Sequence, residues 1–233
     1  MVASRDTTTA VRSSWLGRTM LRSRVVDAND GIIATAGIVE GFAAAGATGM
    51  TVVVAALAAM VAGGMSLGAA TYAESAVEAD AAQAVLERER RRIEGDPQAE
   101  LAELAELYER KGLTPELAAD VAAQLTEHDA LAAHADAEYH IAVDKHARPV
   151  ATGILAGLAF ALGAGIPLMA VVLAPDSLRV PVTFGAAVLS LIITSILAAR
   201  LGGTRVSRTI MRTVTIGVAT MLITLAGGSL INL

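Results

Sequence analysis

Asp30 and Glu40 are the carboxylates of this chain that stand at the edge of, or within, a long apolar stretch. A charged side chain at mid-membrane costs about 2.5–3.5 kcal/mol on insertion scales, so it persists where it faces a partner, water or an ion. Ten helical residues turn through about 1000°, roughly 80° short of three full turns, and advance about 15 Å. The two carboxylates therefore take neighbouring faces at different depths, which suits two stations along an ion path better than one shared site. Each has a structural alternative. Asp30 can cap a helix at the headgroup level, where carboxylates favour an N-terminus, and Glu40 can be held by packing alone.

A second supply of ligands lies between Glu74 and Arg148, a segment with 18 of the 23 Asp and Glu, all four His and a net charge of −10. Hard divalent cations take oxygen, while softer ones such as Fe²⁺ also accept imidazole and thioether. Glu100, Glu103, Glu106 and Glu109 recur every three residues, which keeps successive side chains adjacent on a helix. Glu87, Glu89 and Glu94 precede them. Such a run is ordinarily a solvated face, but its acidity exceeds what solubility requires and points equally to metal collection. His128, His134, His140 and His146 are six apart, so they cannot all ligate one ion from one helix. His134 with Glu138, and Asp136 with His140, are four apart and can share a metal or simply hydrogen-bond. Met60 and Met65, with Met50 nearby, add thioethers on or beside the second apolar stretch, where methionine otherwise serves packing.

Several chemistries are excluded. There is no cysteine, hence no disulfide, zinc knuckle or thiolate. No Glu-x-x-His or His-Glu-x-x-His appears, which argues against a di-iron oxidase or a zincin protease. No phosphate loop is present, and Gly64-Met65-Ser66-Leu67-Gly68, although it spells Gly-x-Ser-x-Gly, lies inside a long apolar stretch and not on a strand-to-helix turn, so ATP-driven and hydrolytic mechanisms lack machinery.

The elements that must position these residues are mostly membrane helices. Of the 233 residues 54% are apolar, with a mean hydropathy of +0.56. A bilayer core of roughly 30 Å needs about 20 apolar residues as helix. Five stretches answer to that: Gly31–Thr48, Met50–Ala73, Pro149–Leu173, Val180–Ala199 and Thr209–Ile231. With five spans and the N-terminus inside, 17 of the 18 Lys and Arg fall on the inner side, leaving only Arg179 outside, as the positive-inside rule requires. The first thirty residues are polar and basic, which is unlike a cleavable signal peptide. Within them Val11–Val26 reads as a short amphipathic helix on the inner membrane surface.

The acidic segment is expected to be helical too. No breaker interrupts Met65–Ile93, so the second span should run on as one long helix to Gly95-Asp96-Pro97. A helix over Gln98–Arg110 should follow, and Thr114-Pro115-Glu116 should open another towards Lys145. Gly37 and Gly41, Gly64 and Gly68, and Gly153 and Gly157 have the four-residue spacing that lets membrane helices approach closely.

These residues resemble the vacuolar iron transporters and their prokaryotic relatives, from about Arg22 to the C-terminus. The resemblance rests on Asn29-Asp30-Gly31, on Ala62-Gly63-Gly64-Met65-Ser66-Leu67-Gly68, and on the acidic stretch Glu87–Glu103 containing Pro97. It implies a homodimer of five-span subunits that exports Fe²⁺, often also Mn²⁺, from the cytoplasm in exchange for protons. The ion path would lie between the subunits. By position Asp30 matches the family's transport aspartate, and Glu89, Glu100, Glu103 and Glu138 match carboxylates of its cytoplasmic metal-binding domain. Departures include Leu67 at a methionine position, Ala59 at a glutamate position, Arg92 where a carboxylate is expected and His134 near a methionine position.

The expected fold is thus all-α. It comprises a basic segment 1–27, transmembrane helices one and two over 28–73, a cytoplasmic acidic metal-binding domain over 74–148 and helices three to five over 149–233. The expected function is proton-coupled Fe²⁺ or Mn²⁺ export, with Asp30, Glu40, Met60 and Met65 on the path. Glu89, Glu100, Glu103, Glu106, Glu138 and His134 are the expected metal ligands. No prosthetic group, enzyme activity or nucleic-acid partner is expected; the partners are metal cations, protons, lipid and a second copy, in a prokaryotic cell membrane. The alternatives are a membrane-anchored metal buffer or sensor and, less well supported, a membrane enzyme with a carboxylate-bridged metal.

Overall fold

A computed structural model describes residues 4–143 and 147–231. Among these it contains seven α-helices, one 3₁₀ turn and no strand. The helices are α1 (Ser4–Ala44), α2 (Gly49–Gly95), α3 (Pro97–Arg110), α4 (Pro115–Tyr139), α5 (Pro149–Leu173), α6 (Arg179–Gly202) and α7 (Val206–Ile231). Four of them, α2, α5, α6 and α7, are long and apolar enough to cross a membrane. Contacts divide the chain into two compact units, Met1–Tyr72 with Val150–Leu233, and Ala73–Pro149.

In the first unit α1 is the packing centre. Ile32 and Ala36 are buried with Ala187 and Leu191 of α6 and Met221 of α7. Val39 is buried with Val52 and Ala56 of α2 and Val171 of α5. The helix does not break near residue 27, so the separate interfacial helix expected over Val11–Val26 is part of one continuous element; the side chains up to residue 16 lie outside the description. Gly31, expected to open a span, serves close approach. A Cβ there would lie 2.0 Å from the Phe160 carbonyl oxygen, and one on Gly163 would lie 1.9 Å from that of Ala28.

The glycine pairs fall on such contacts as well. Gly64 and Gly68 of α2 meet the backbone of Gly157 and Gly153 of α5, and Gly37 and Gly41 of α1 meet Thr224 of α7. At Gly31 the approach of the Phe160 backbone leaves no room for a methyl group, and overpacking costs about 1–3 kcal/mol. Gly31→Ala is therefore expected to lower the thermal midpoint, followed by circular dichroism at 222 nm, by several degrees. Gly165→Ala, where a Cβ meets nothing within 4 Å, should leave it unchanged.

In the second unit, local capping defines the helices. The Asp96 carboxylate accepts from the Ala99 amide at 3.0 Å, with Pro97 at the start of α3. The Thr114 hydroxyl accepts from the Leu117 amide before α4. Leu104 is fully buried against Ala122 and Ala137, a burial that contributes about 1.5–3 kcal/mol to joining α3 and α4. Two expectations for α4 need correcting. It is kinked at Asp129 (φ −165°, ψ 96°), whose carboxylate accepts from the Ala132 amide at 2.9 Å and restarts the helix. It also ends at Tyr139, with His140 left-handed (φ 56°), rather than running to Lys145. Lys145 and His146 lie outside the described residues.

Candidate metal-binding and transport sites

The second unit brings together ligands from three helices. Glu89 comes from the end of α2, Glu100 from α3 and His134 from the part of α4 beyond the Asp129 kink. Their candidate ligand atoms all lie within 4.8 Å of one another, and all three residues are buried. His134 Nδ1 stands 3.1 Å from Glu89 Oε1, 3.9 Å from Glu100 Oε2 and 3.5 Å from Glu138 Oε1. Glu89 Oε1 and Glu100 Oε2 are buried without a hydrogen-bond partner. An unsatisfied buried carboxylate oxygen is costly, and two of them converging on an imidazole form a ready site for a divalent cation.

Arg92 divides these carboxylates. Its guanidinium reaches Glu89 Oε2 at 3.5 Å and Glu100 Oε1 at 3.1 Å, and it also pairs with Glu103 Oε2. One oxygen of Glu89 and one of Glu100 thus go to Arg92, and the other of each turns towards His134. Glu138 stands beside His134 one turn on, with its side chain 12% exposed. Glu106, expected among the ligands, lies apart. It is exposed and faces Arg110 at 3.7 Å, because residues three apart drift by about 60° per step around a helix. Sequence reasoning missed the role of Arg92 as a bridge among these carboxylates.

Burial, followed by the charge of Glu138, raises the Glu89 carboxyl above its ordinary value of 4.5. A metal ligand must be deprotonated, so protons compete here at a higher pH than at an ordinary carboxylate. Metal affinity is therefore expected to fall on acidification, starting above pH 4.5. Without metal the sign for stability is opposite. The folded state favours the proton, so the Glu89 contribution is full below 4.5 and is lost as pH rises through the raised value. Thermal midpoints with and without Mn²⁺, taken across that range, should diverge as pH rises.

The expected residues of the first unit are placed differently from one another. Asp30 is exposed on α1, whereas Glu40, two to three turns on, is 1% exposed with both carboxylate oxygens unpartnered. Because α1 begins at Ser4, Asp30 lies deep within a helix and does not cap its N-terminus. Next to it Asn29 is buried and accepts a hydrogen bond from the Thr194 hydroxyl of α6, while Arg24 pairs with Asp27 at 2.9 Å. Met60 and Met65 border a shallow apolar groove between α2 and α5 of about 580 Å³, with Met65 72% exposed. The groove does not bring them to Asp30 or Glu40, neither of which lines it.

A sequence profile of the VIT family matches residues 21–229. The chain is 40% identical over 149 residues to a protein named vacuolar iron transporter from Acanthamoeba castellanii, covering 64% of this chain and 54% of that one. It is 25% identical over 166 residues to one named vacuolar iron transporter 2 from Oryza sativa subsp. japonica, covering 70% and 68%. The chain thus spans about half the length of the first relative.

Proposed function

The chain belongs to the VIT family, and from that premise we propose that it exports Fe²⁺ or Mn²⁺ from the cytoplasm in exchange for protons. The observation that carries transport rather than mere binding is the pair of carboxylates on α1. Asp30 is exposed on the outside of an apolar bundle, and Glu40 is enclosed in it without a partner. Ionisable groups in a membrane helix are costly and mark ion or proton routes; an anchor for a metal buffer has no need of them.

In this reading α1 is a fifth span. Its apolar part packs with α6 and α7 in one core, and a fifth crossing keeps 17 of the 18 basic residues on the inner side. The acidic unit is then cytoplasmic, and Glu89, Glu100 and His134, with Glu103 and Glu138 alongside, gather the ion there. Asp30 admits it to the membrane. A carboxylate facing lipid is untenable, so the exposure of Asp30 on one subunit supports a homodimer in which the partner covers it. Met65 and the groove it borders lie on the exposed apolar surface of α2 and α5. Glu40 serves inside the protomer as a station for the proton or the ion. The protein works in a prokaryotic cell membrane.

The test is metal uptake into proteoliposomes, with Fe²⁺ and Mn²⁺ in parallel and an internal pH dye. Metal entry with opposing proton flux is expected. Binding without flux, in protein shown to be folded and inserted, would sink the transporter reading and leave a membrane-anchored buffer.

A further inference from the structure

The turn between α6 and α7 gathers charge of one sign. Gly203 adopts φ 62°, and its amide donates to the Ala199 carbonyl, which closes α6 and lets α7 start at Val206. Arg205 lies on this turn, and Arg208 and Arg212 follow on α7. Arg22 arrives from α1 and lies across the end of α6, where a Cβ on Gly202 would stand 3.1 Å from its Nε. The four guanidinium groups border one polar recess of about 510 Å³, together with Thr204 and Thr209. The two threonine hydroxyls are 3.3 Å apart.

No carboxylate lines the recess, and none of the four arginines forms an ion pair with a described residue. Arg24, less than a turn beyond Arg22 on α1, does have a counter-ion in Asp27 at 2.9 Å. Four like charges converging from two helices and a turn repel one another unless an anion sits among them. Guanidinium forks match phosphate oxygens with paired hydrogen bonds, and threonine hydroxyls add donors. The recess also lies at the polar ends of apolar helices, where lipid headgroups meet basic side chains.

We propose that this recess binds a phosphate group, supplied by the headgroup of an anionic phospholipid or by a free phosphate. Its occupant ties α1 to α7 through Arg22 on one side and Arg205, Arg208 and Arg212 on the other. Binding to the folded state alone raises its stability by mass action.

The experiment uses the full chain in neutral detergent with phosphatidylglycerol, phosphatidylcholine or inorganic phosphate added. Native mass spectrometry counts retained lipid, and circular dichroism at 222 nm follows thermal unfolding. Phosphatidylglycerol should be retained in preference to phosphatidylcholine and should raise the midpoint. Arg208→Gln with Arg212→Gln should weaken that retention by about tenfold or more. Arg90→Gln with Arg91→Gln removes the same charge from arginines that face Glu87, and should not. Displacement of the lipid by inorganic phosphate would assign the site to the phosphate alone. Resistance to displacement would assign it to the lipid headgroup. Equal retention of the two lipids with no effect of phosphate overturns the proposal, as does equal loss in both variant pairs. Should the glutamine pair fail to fold, Arg208→Gln and Arg212→Gln are taken singly, and undiminished retention in both also overturns it.

Discussion

Asp30→Ala is expected to reduce Fe²⁺ and Mn²⁺ uptake into proteoliposomes by about 100-fold or more, while the protein stays folded. A divalent ion that enters an apolar bundle without a carboxylate meets a desolvation barrier of several kcal/mol, and each 1.4 kcal/mol is about a factor of ten in rate. Among the described side chains of α1, Asp30 is the exposed carboxylate, since Glu40 is enclosed and Asp27 is held by Arg24 at 2.9 Å. The isosteric Asp30→Asn distinguishes charge from shape. It keeps the hydrogen-bonding outline and loses the anion, so it should fail in transport as alanine does. Uptake retained by the asparagine variant would mean that Asp30 has a structural part only, and the ion route would have to be sought elsewhere.

The second large effect concerns capture. Replacing Glu89 and Glu100 together by glutamine should weaken Mn²⁺ binding to the full chain, measured calorimetrically, by more than about 100-fold; even outer-shell changes at metal sites cost 10–100-fold. These two residues supply the unpartnered oxygens that face His134. The charge balance supports the same residues. Glu89, Glu100, Glu103 and Glu138 converge with one arginine, so a divalent cation leaves the group close to neutral. Glutamine preserves volume, so Leu104 and its neighbours on α3 and α4 remain packed. The matched control is Glu106→Gln, on the exposed face beside Arg110, which should leave affinity unchanged. If Glu106→Gln weakens binding as much as the Glu89/Glu100 pair, the ion is held by diffuse acidity and not by the cluster.

The two results separate in the transport assay. Loss of the Glu89–Glu100 pair should raise the metal concentration needed for half-maximal uptake and spare the limiting rate at saturating metal. Loss of Asp30 should lower the limiting rate itself. A buffer without transport would show neither pattern.

Much of this architecture is a local property of the chain and was legible as such. Apolar runs of the right length mark α5, α6 and α7. The absence of a breaker after Met65 carries α2 through to Gly95, and Asp96-Pro97 and Thr114-Pro115 mark the starts of α3 and α4. Such features depend on hydropathy, capping and proline geometry within a few residues. The ten-residue separation of Asp30 and Glu40 likewise fixes their angular offset on one helix. Which of them turns outward is decided by the helices packed around α1: Ile32, Ala36 and Val39 are covered by neighbours from four other elements, and the covered side happens to include Glu40. Glu89, Glu100 and His134 stood among the expected ligands, but their convergence was out of reach of local geometry for the same reason. Glu89, Glu100 and His134 belong to three helices, and the kink at Asp129 intervenes before His134. Arg22 and Arg212 meet around one recess although nearly the whole chain separates them. Backbone preference acts over a few residues, whereas a site made by convergence exists only once the helices have packed.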